Sequence, residues 1–200
     1  MVRGLWWFVF PYVLLLIGGL IFYSLNNHGD FVLYLNASRT TLLDGIMPWL
    51  THLGDGWFFA FVTLIFLIYR WRVGVVVLGL GLTQLLTSYV LKRLVFTGTP
   101  RPKTFFAEEG VSLSFIEGVK VHSYNSFPSG HTMTAFAIFF FLACFLKRPL
   151  PSLIFLVLAV GVGLSRIYLL QHFLIDVCVG SMIGLLLGFA AYRISTRLSS

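Results

Sequence analysis

Apolar residues in this chain do not alternate with polar ones. They run together in long blocks that short polar interruptions separate. Blocks near 5–25, 56–70, 74–91, 132–147, 150–168 and 173–192 are each apolar over much or all of the length needed to cross a hydrocarbon core about 30 Å thick. They predict an all-α protein, a six-transmembrane helical bundle forming a single integral-membrane domain over residues 1–200. The second and fourth blocks are short and are expected to extend into flanking polar residues. Residues 26–55 join the first two spans. Within them Leu42, Leu43, Ile46, Met47, Trp49 and Leu50 suggest an interfacial helix, broken at or near Pro48. The first block resembles a signal peptide, but it is longer than such a segment's core and no small-residue cleavage site follows. It is read as an uncleaved first span.

Composition agrees: 58% of the residues are apolar and only 10% are charged, against about 25% charged in soluble domains. Cys144 and Cys178 lie inside apolar runs and read as packing thiols. Gly180, Gly184 and Gly188 form a small-residue stripe on the last span, expected to pack inside the bundle rather than to mark a dimer seam. The Asn36-Ala37-Ser38 triplet is a weak glycosylation match. The net charge of +7 points to membrane orientation and an anionic substrate, not to nucleic acid.

With the N-terminus inside, Arg3, Arg70, Arg72, Lys147, Arg148, Arg193 and Arg197 fall at cytoplasmic ends. All seven acids, Asp30, Asp44, Asp55, Glu108, Glu109, Glu117 and Asp176, fall on the other side. The remaining seven basic residues lie on the outer face and offend the rule; four of them, Lys92, Arg93, Arg101 and Arg166, sit in or near polar clusters, so another role is expected of them.

Those four accompany three polar clusters. Pro128-Ser129-Gly130-His131 precedes an apolar helix. Ser129 suits an N-cap, Gly130 admits a close ligand, and the free N–H groups of the first turn make an anion site. His172 and Asp176 stand four apart, one helical turn. A carboxylate on one imidazole nitrogen fixes the tautomer and leaves the other nitrogen free to attack. Arg166 can hold phosphate oxygens bidentately. Pro100-Arg101-Pro102 stiffens a loop and aims Arg101. Lys92 and Arg93 end the third span and, being adjacent, face different ways; one is expected to bind phosphate and the other to anchor headgroups.

Together the three clusters resemble the type 2 phosphatidic acid phosphatase superfamily, whose pattern is Lys, six residues, Arg-Pro; Pro-Ser-Gly-His; and Ser-Arg, five residues, His, three residues, Asp. The second part stands intact at 128–131 and the third at 165–176. In the first, eight residues separate Lys92 from Arg101 and seven separate Arg93 from it. The resemblance covers roughly 92–176.

It implies that His172 is a nucleophile forming a phosphohistidine, that Asp176 orients it, and that His131 protonates the leaving oxygen and then activates water. It implies further that Lys92 or Arg93, Arg101, Arg166 and the Ser129–Gly130 backbone hold the phosphoryl oxygens. No metal or other cofactor is expected. The bilayer and a membrane lipid phosphate are the expected partners. The expected place is a bacterial inner membrane, with the site on the outer, periplasmic face. Undecaprenyl diphosphate, phosphatidylglycerol phosphate and lipid A 1-phosphate are the candidate substrates; the short 103–127 loop slightly favours the first. Two rivals are a lipid-to-lipid phosphotransferase on the same site and a non-catalytic lipid-binding or transport protein. The intact His131, His172 and Asp176 argue against the second of these.

Overall fold

The computed structural model describes residues 3–198, without the side chain of Arg3, so that charge, counted above as cytoplasmic, lies outside the described residues. The described chain is almost wholly helical: α1 Trp6–Leu25, α2 Asp30–Ala37, α3 Thr41–Leu50, α4 Gly56–Tyr69, α5 Trp71–Val90, α6 Pro102–Glu108, α7 Gly130–Leu146, α8 Pro149–Tyr168 and α9 Leu174–Leu198. A helix stands at each of the six apolar blocks. Four are long and apolar enough to cross a bilayer alone: α1, α5 with its extension to Val95, α8 and α9. The stretch from α3 through α4 qualifies as a pair bent by 49°, and Gly130–Leu146 is the shorter apolar helix.

That shorter helix is the centre of the bundle. Most of α7 is buried, on every face, as expected for a helix apolar all round. The small-residue stripe of α9 lies directly against it. A Cβ at Gly180, Gly184 or Gly188 would sit 2.7, 2.3 or 2.5 Å from the carbonyl oxygens of Ser129, Met133 and Ala137. Both rows step by four, so the two backbones approach along a shared ridge. The stripe is therefore bundle packing, as expected. Cys144 and Cys178 are free and buried, as packing thiols should be.

Three features of the connections differ from expectation. First, the break expected at or near Pro48 falls just beyond the proline and not at it. The helix runs through it to Leu50 and tightens into a 3-10 turn, Thr51–Gly54. A proline removes a single backbone bond, and here the chain turns later, at Gly54, whose backbone lies so near α7 that a Cβ would be 2.7 Å from the His131 carbonyl oxygen. Second, α2 precedes α3 as a separate helix within the connection. Asn36 ties it to the 109–129 loop, donating to the Ser114 carbonyl at 2.8 Å and accepting from its amide at 3.0 Å. Third, Pro102 begins α6, with Arg101 as its N-cap, so the Pro-Arg-Pro segment is a helix start rather than only a stiff loop.

The bundle has two chemically distinct ends. At one, Arg70 and Lys147 lie over the rings of Phe145 and Tyr192, and Arg72 donates to the Leu198 carbonyl. The three polar clusters meet at the other.

Candidate active site

His172 sits in the turn between α8 and α9, 1% exposed, and Asp176 lies in the first turn of α9. His172 Nδ1 donates to Asp176 Oδ2 at 3.3 Å. The same oxygen accepts from Ser126 Oγ at 2.5 Å and from the Phe173 amide at 2.9 Å. The carboxylate is thus pinned from three sides, and Nε2 is the imidazole nitrogen that this bond leaves free. Burial first, then the positive charges of Arg101, Lys92 and Arg166, pushes the His172 pKa well below 6.5. The ring is therefore neutral at physiological pH, the state in which it can attack.

Arg101 is buried in the loop before α6 and held by four bonds. Nε donates to the Tyr124 carbonyl at 2.9 Å, Nη1 to the carbonyl and side-chain oxygens of Gln171 at 3.0 and 2.8 Å, and Nη2 to the Asn125 carbonyl at 3.4 Å. Lys92 reaches that Asn125 carbonyl as well, at 3.3 Å. It does so from a π turn, Leu91–Val95, closed by the Phe96 amide on the Leu91 carbonyl at 2.7 Å. A π turn takes up an extra residue relative to an α turn, which helps a connection longer than the family spacing bring Lys92 beside Arg101. Arg93, next along the turn, is exposed.

Arg166 ends α8, 8% exposed. Its Nη1 donates to Thr51 Oγ1 at 2.8 Å, while its Nε is buried with no partner among the described residues. A buried guanidinium donor of this kind can take a water or a ligand oxygen.

The Pro-Ser-Gly-His turn joins these groups. Ser129 N-caps α7: its hydroxyl accepts from the Thr132 hydroxyl at 2.8 Å and the Thr132 amide at 3.5 Å. Its own amide donates to the Asp176 carbonyl at 3.0 Å. Ser129 therefore fastens α7 to α9 through these bonds. The first-turn amides that they leave over are those of Gly130 and His131.

His131 has a partner that the sequence did not suggest. Its Nε2 lies 2.6 Å from Asp55 Oδ1, and the other carboxylate oxygen takes His52 Nδ1 at 2.6 Å. Hydrogen bonding from His131 leads in holding the Asp55 carboxyl down, to about 2. Asp55 read only as one of seven outer acids, because nothing local marks a residue that acts across helices. Ser126, Gln171 and Thr51 were missed for the same reason.

A groove of about 560 Å³ opens beside His131 and Asp55 and runs between α4 and α5. Gln84, Ser88 and Gly130 line its site end; Leu64, Leu78, Leu82 and Leu85 line the remainder. Those four leucines are exposed.

Residues 72–200 match the PAP2 superfamily. The chain is 35% identical over 169 residues to phosphatidylglycerophosphatase B of Bacillus subtilis (strain 168), covering 76% of this chain and 74% of that protein. It is similar in structure to a transmembrane PAP2 type phosphatidylglycerolphosphate phosphatase from Bacillus subtilis, with a TM-score of 0.71, 28% identity and 98% of each chain covered. It is also similar to LpxE of Aquifex aeolicus, with a TM-score of 0.71, 25% identity, 84% of this chain and 96% of that chain covered.

Proposed function

This chain belongs to the PAP2 superfamily and is a membrane lipid phosphatase, and from that premise we propose that it hydrolyses a lipid phosphate monoester, without a metal ion, through a phosphohistidine on His172. The observation that carries the reading is the meeting of three cations with a buried, neutral histidine whose Nε2 is free. Lys92 and Arg101 share one backbone carbonyl, and Arg166 keeps an unpartnered buried donor.

His172 Nε2 attacks phosphorus while the P–O bond to the lipid breaks. The electron pair leaves on the lipid oxygen, which takes a proton from His131. Lys92, Arg101, Arg166 and the amides of Gly130 and His131 hold the three equatorial oxygens, on which negative charge is spread. Asp176 stabilises the positive imidazole. Water then attacks the phosphohistidine, His131 takes its proton, and the N–P pair returns to Nε2. Ser129 shapes this turn as a cap, and Arg93 faces the headgroups. The cations supply the charge that a metal would otherwise bring, which supports a metal-independent reaction.

The groove between α4 and α5 supports a lipid substrate whose tail lies against the leucines while its phosphate reaches His172. Among lipid phosphates we place phosphatidylglycerol phosphate ahead of undecaprenyl diphosphate, because the relative aligned over most of both chains carries the name phosphatidylglycerophosphatase B. The confinement of the acids to the site's end, with an end free of acids and rich in cations opposite, supports an outer-face site in a bacterial inner membrane. A reporter active only in the cytoplasm should therefore give signal when fused after Ser200; signal only from one active outside would invert that orientation.

The test is phosphate release by purified protein from phosphatidylglycerol phosphate, undecaprenyl diphosphate and lipid A 1-phosphate in EDTA. Release should be fastest from the first, should persist in EDTA, and should be inhibited by vanadate, which resembles the five-coordinate phosphoryl transition state. Loss in EDTA that magnesium restores would contradict the metal-independent mechanism.

A further inference from the structure

The 3-10 turn between α3 and α4 touches the active site three times. Thr51 accepts from Arg166 at 2.8 Å. Gly54 lies against the His131 backbone, closer than any side chain would permit. Asp55, the next residue, places one oxygen 2.6 Å from His131 Nε2 and the other 2.6 Å from His52 Nδ1. The side chains of His131 and Asp55 are 34% and 26% exposed and that of His52 is 64% exposed, so the array runs from the site towards solvent.

We infer that Asp55, braced by His52, is the positioning residue of His131: it binds Nε2–H, sets the ring's orientation, and makes Nδ1 the nitrogen that gives and takes the proton. The inference rests on the acid and base role given to His131 above. A carboxylate on one imidazole nitrogen holds the tautomer with the other nitrogen basic, and it stabilises the protonated ring needed before the leaving oxygen departs. Gly54 is what lets the chain bring Asp55 there, since any larger residue would push the turn off α7. The bracing by His52 fixes the carboxylate as the Phe173 amide and Ser126 fix Asp176. The segment Thr51–Asp55 is thus a fourth contributor to the site, beside the three motifs.

A general acid matters in proportion to how poorly its leaving group departs. Asp55→Asn and Asp55→Glu are compared with the wild type on phosphate monoesters graded from p-nitrophenyl phosphate to simple alkyl phosphates. Asp55→Asn should lower kcat/KM by about 10²-fold on the alkyl esters and by only about threefold on the nitrophenyl ester. Asp55→Glu should recover part of the alkyl activity. Adding Asp55→Asn to His131→Ala should cost nothing further, because both act through one proton.

Equal losses across the series, or losses that multiply in the double variant, would overturn the inference. If Asp55→Asn fails to fold, Asp55→Glu carries the same comparison: a leaving-group-dependent loss supports the inference and a uniform loss overturns it. A wild type that cleaves aryl and alkyl phosphates but no lipid phosphate would refute the substrate reading and leave this comparison intact.

Discussion

The site contains two histidine–carboxylate pairs that differ in almost every physical respect. His172 and Asp176 are four residues apart, one in the α8–α9 turn and one in the first turn of α9, with side chains 1% and 3% exposed, and pair through Nδ1 at 3.3 Å. His131 lies in the first turn of α7 and Asp55 in the break between the 3-10 turn and α4; they are about a third and a quarter exposed, and pair through Nε2 at 2.6 Å. The buried pair suits a nucleophile, which must stay neutral and must not wander. The more open pair suits a group that exchanges a proton with a leaving oxygen and then with water. Opposite ring nitrogens are engaged, so opposite nitrogens are left free. On the proposed mechanism, the difference teaches that one side-chain type can fill two roles through which nitrogen is tied and how much water reaches it.

The sharpest way to break the comparison is to remove the buried ring. His172→Ala should abolish phosphate release, a loss of at least about 10⁴-fold, while the protein elutes as the wild type does. Wild-type-like turnover in that variant would show that the open pair, or another group, performs the attack.

A smaller effect tests the cations proposed to hold the phosphoryl oxygens between the two histidines. Lys92→Ala should cost about 10²-fold in kcat/KM, the loss of roughly 2.7 kcal/mol of transition-state stabilisation. Arg93→Ala should cost little, since an exposed interfacial cation contributes about 1 kcal/mol of lipid attraction. Measured on one substrate, the reverse pattern would exchange their roles.

The brace on Asp176 should matter less again. Ser126→Ala removes one of three donors to Oδ2, worth about 1.5–3 kcal/mol for a bond to a charged group, and should lower kcat by roughly tenfold. Ser126→Thr should restore part of that; no change in Ser126→Ala would mean that the Phe173 amide suffices.

The mildest expectation concerns pH. The folded pKa of His172 lies well below 6.5. The acid limb of kcat/KM, which reports the free enzyme, should therefore fall below that value. The sign for stability follows. A lowered folded pKa means that the unfolded chain binds more protons, so this contribution is present above about 6.5 and is lost as pH falls through the folded value. Thermal unfolding in detergent should show Tm decreasing over that interval, and a limb centred at 6.5 would place His172 in water rather than in the core.

These contrasts also show what could be read in advance. His172–Asp176 was legible as a pair four apart, but not by the helical turn expected of it: His172 lies in the turn just before α9, and Asp176 in the first turn of that helix faces back to it. The six apolar blocks and the glycine stripe were legible because bilayer thickness and helix pitch are fixed lengths. Asp55 was not legible, because its meeting with His131 depends on where a 3-10 turn passes a neighbouring helix. Gln171 and Ser126 escaped likewise: their partners, Arg101 and Asp176, lie across the fold. The spacing between Lys92 and Arg101 could be counted but not interpreted until the π turn was seen. Ser129 was assigned to the phosphate, yet its amide answers the Asp176 carbonyl, a partner that exists only once α9 is packed on α7.

The most direct measurement is to map the covalent intermediate. In His131→Ala, p-nitrophenyl phosphate should still phosphorylate the protein, while loss of the base slows water attack and lets the phosphoenzyme accumulate. After quenching in base, peptide mass spectrometry should find the phosphate on His172, and comparison with authentic phosphohistidine isomers should identify the Nε2 form, because Asp176 holds Nδ1. Phosphate on any other residue, on Nδ1 of His172, or on none at all during measurable turnover would contradict the account.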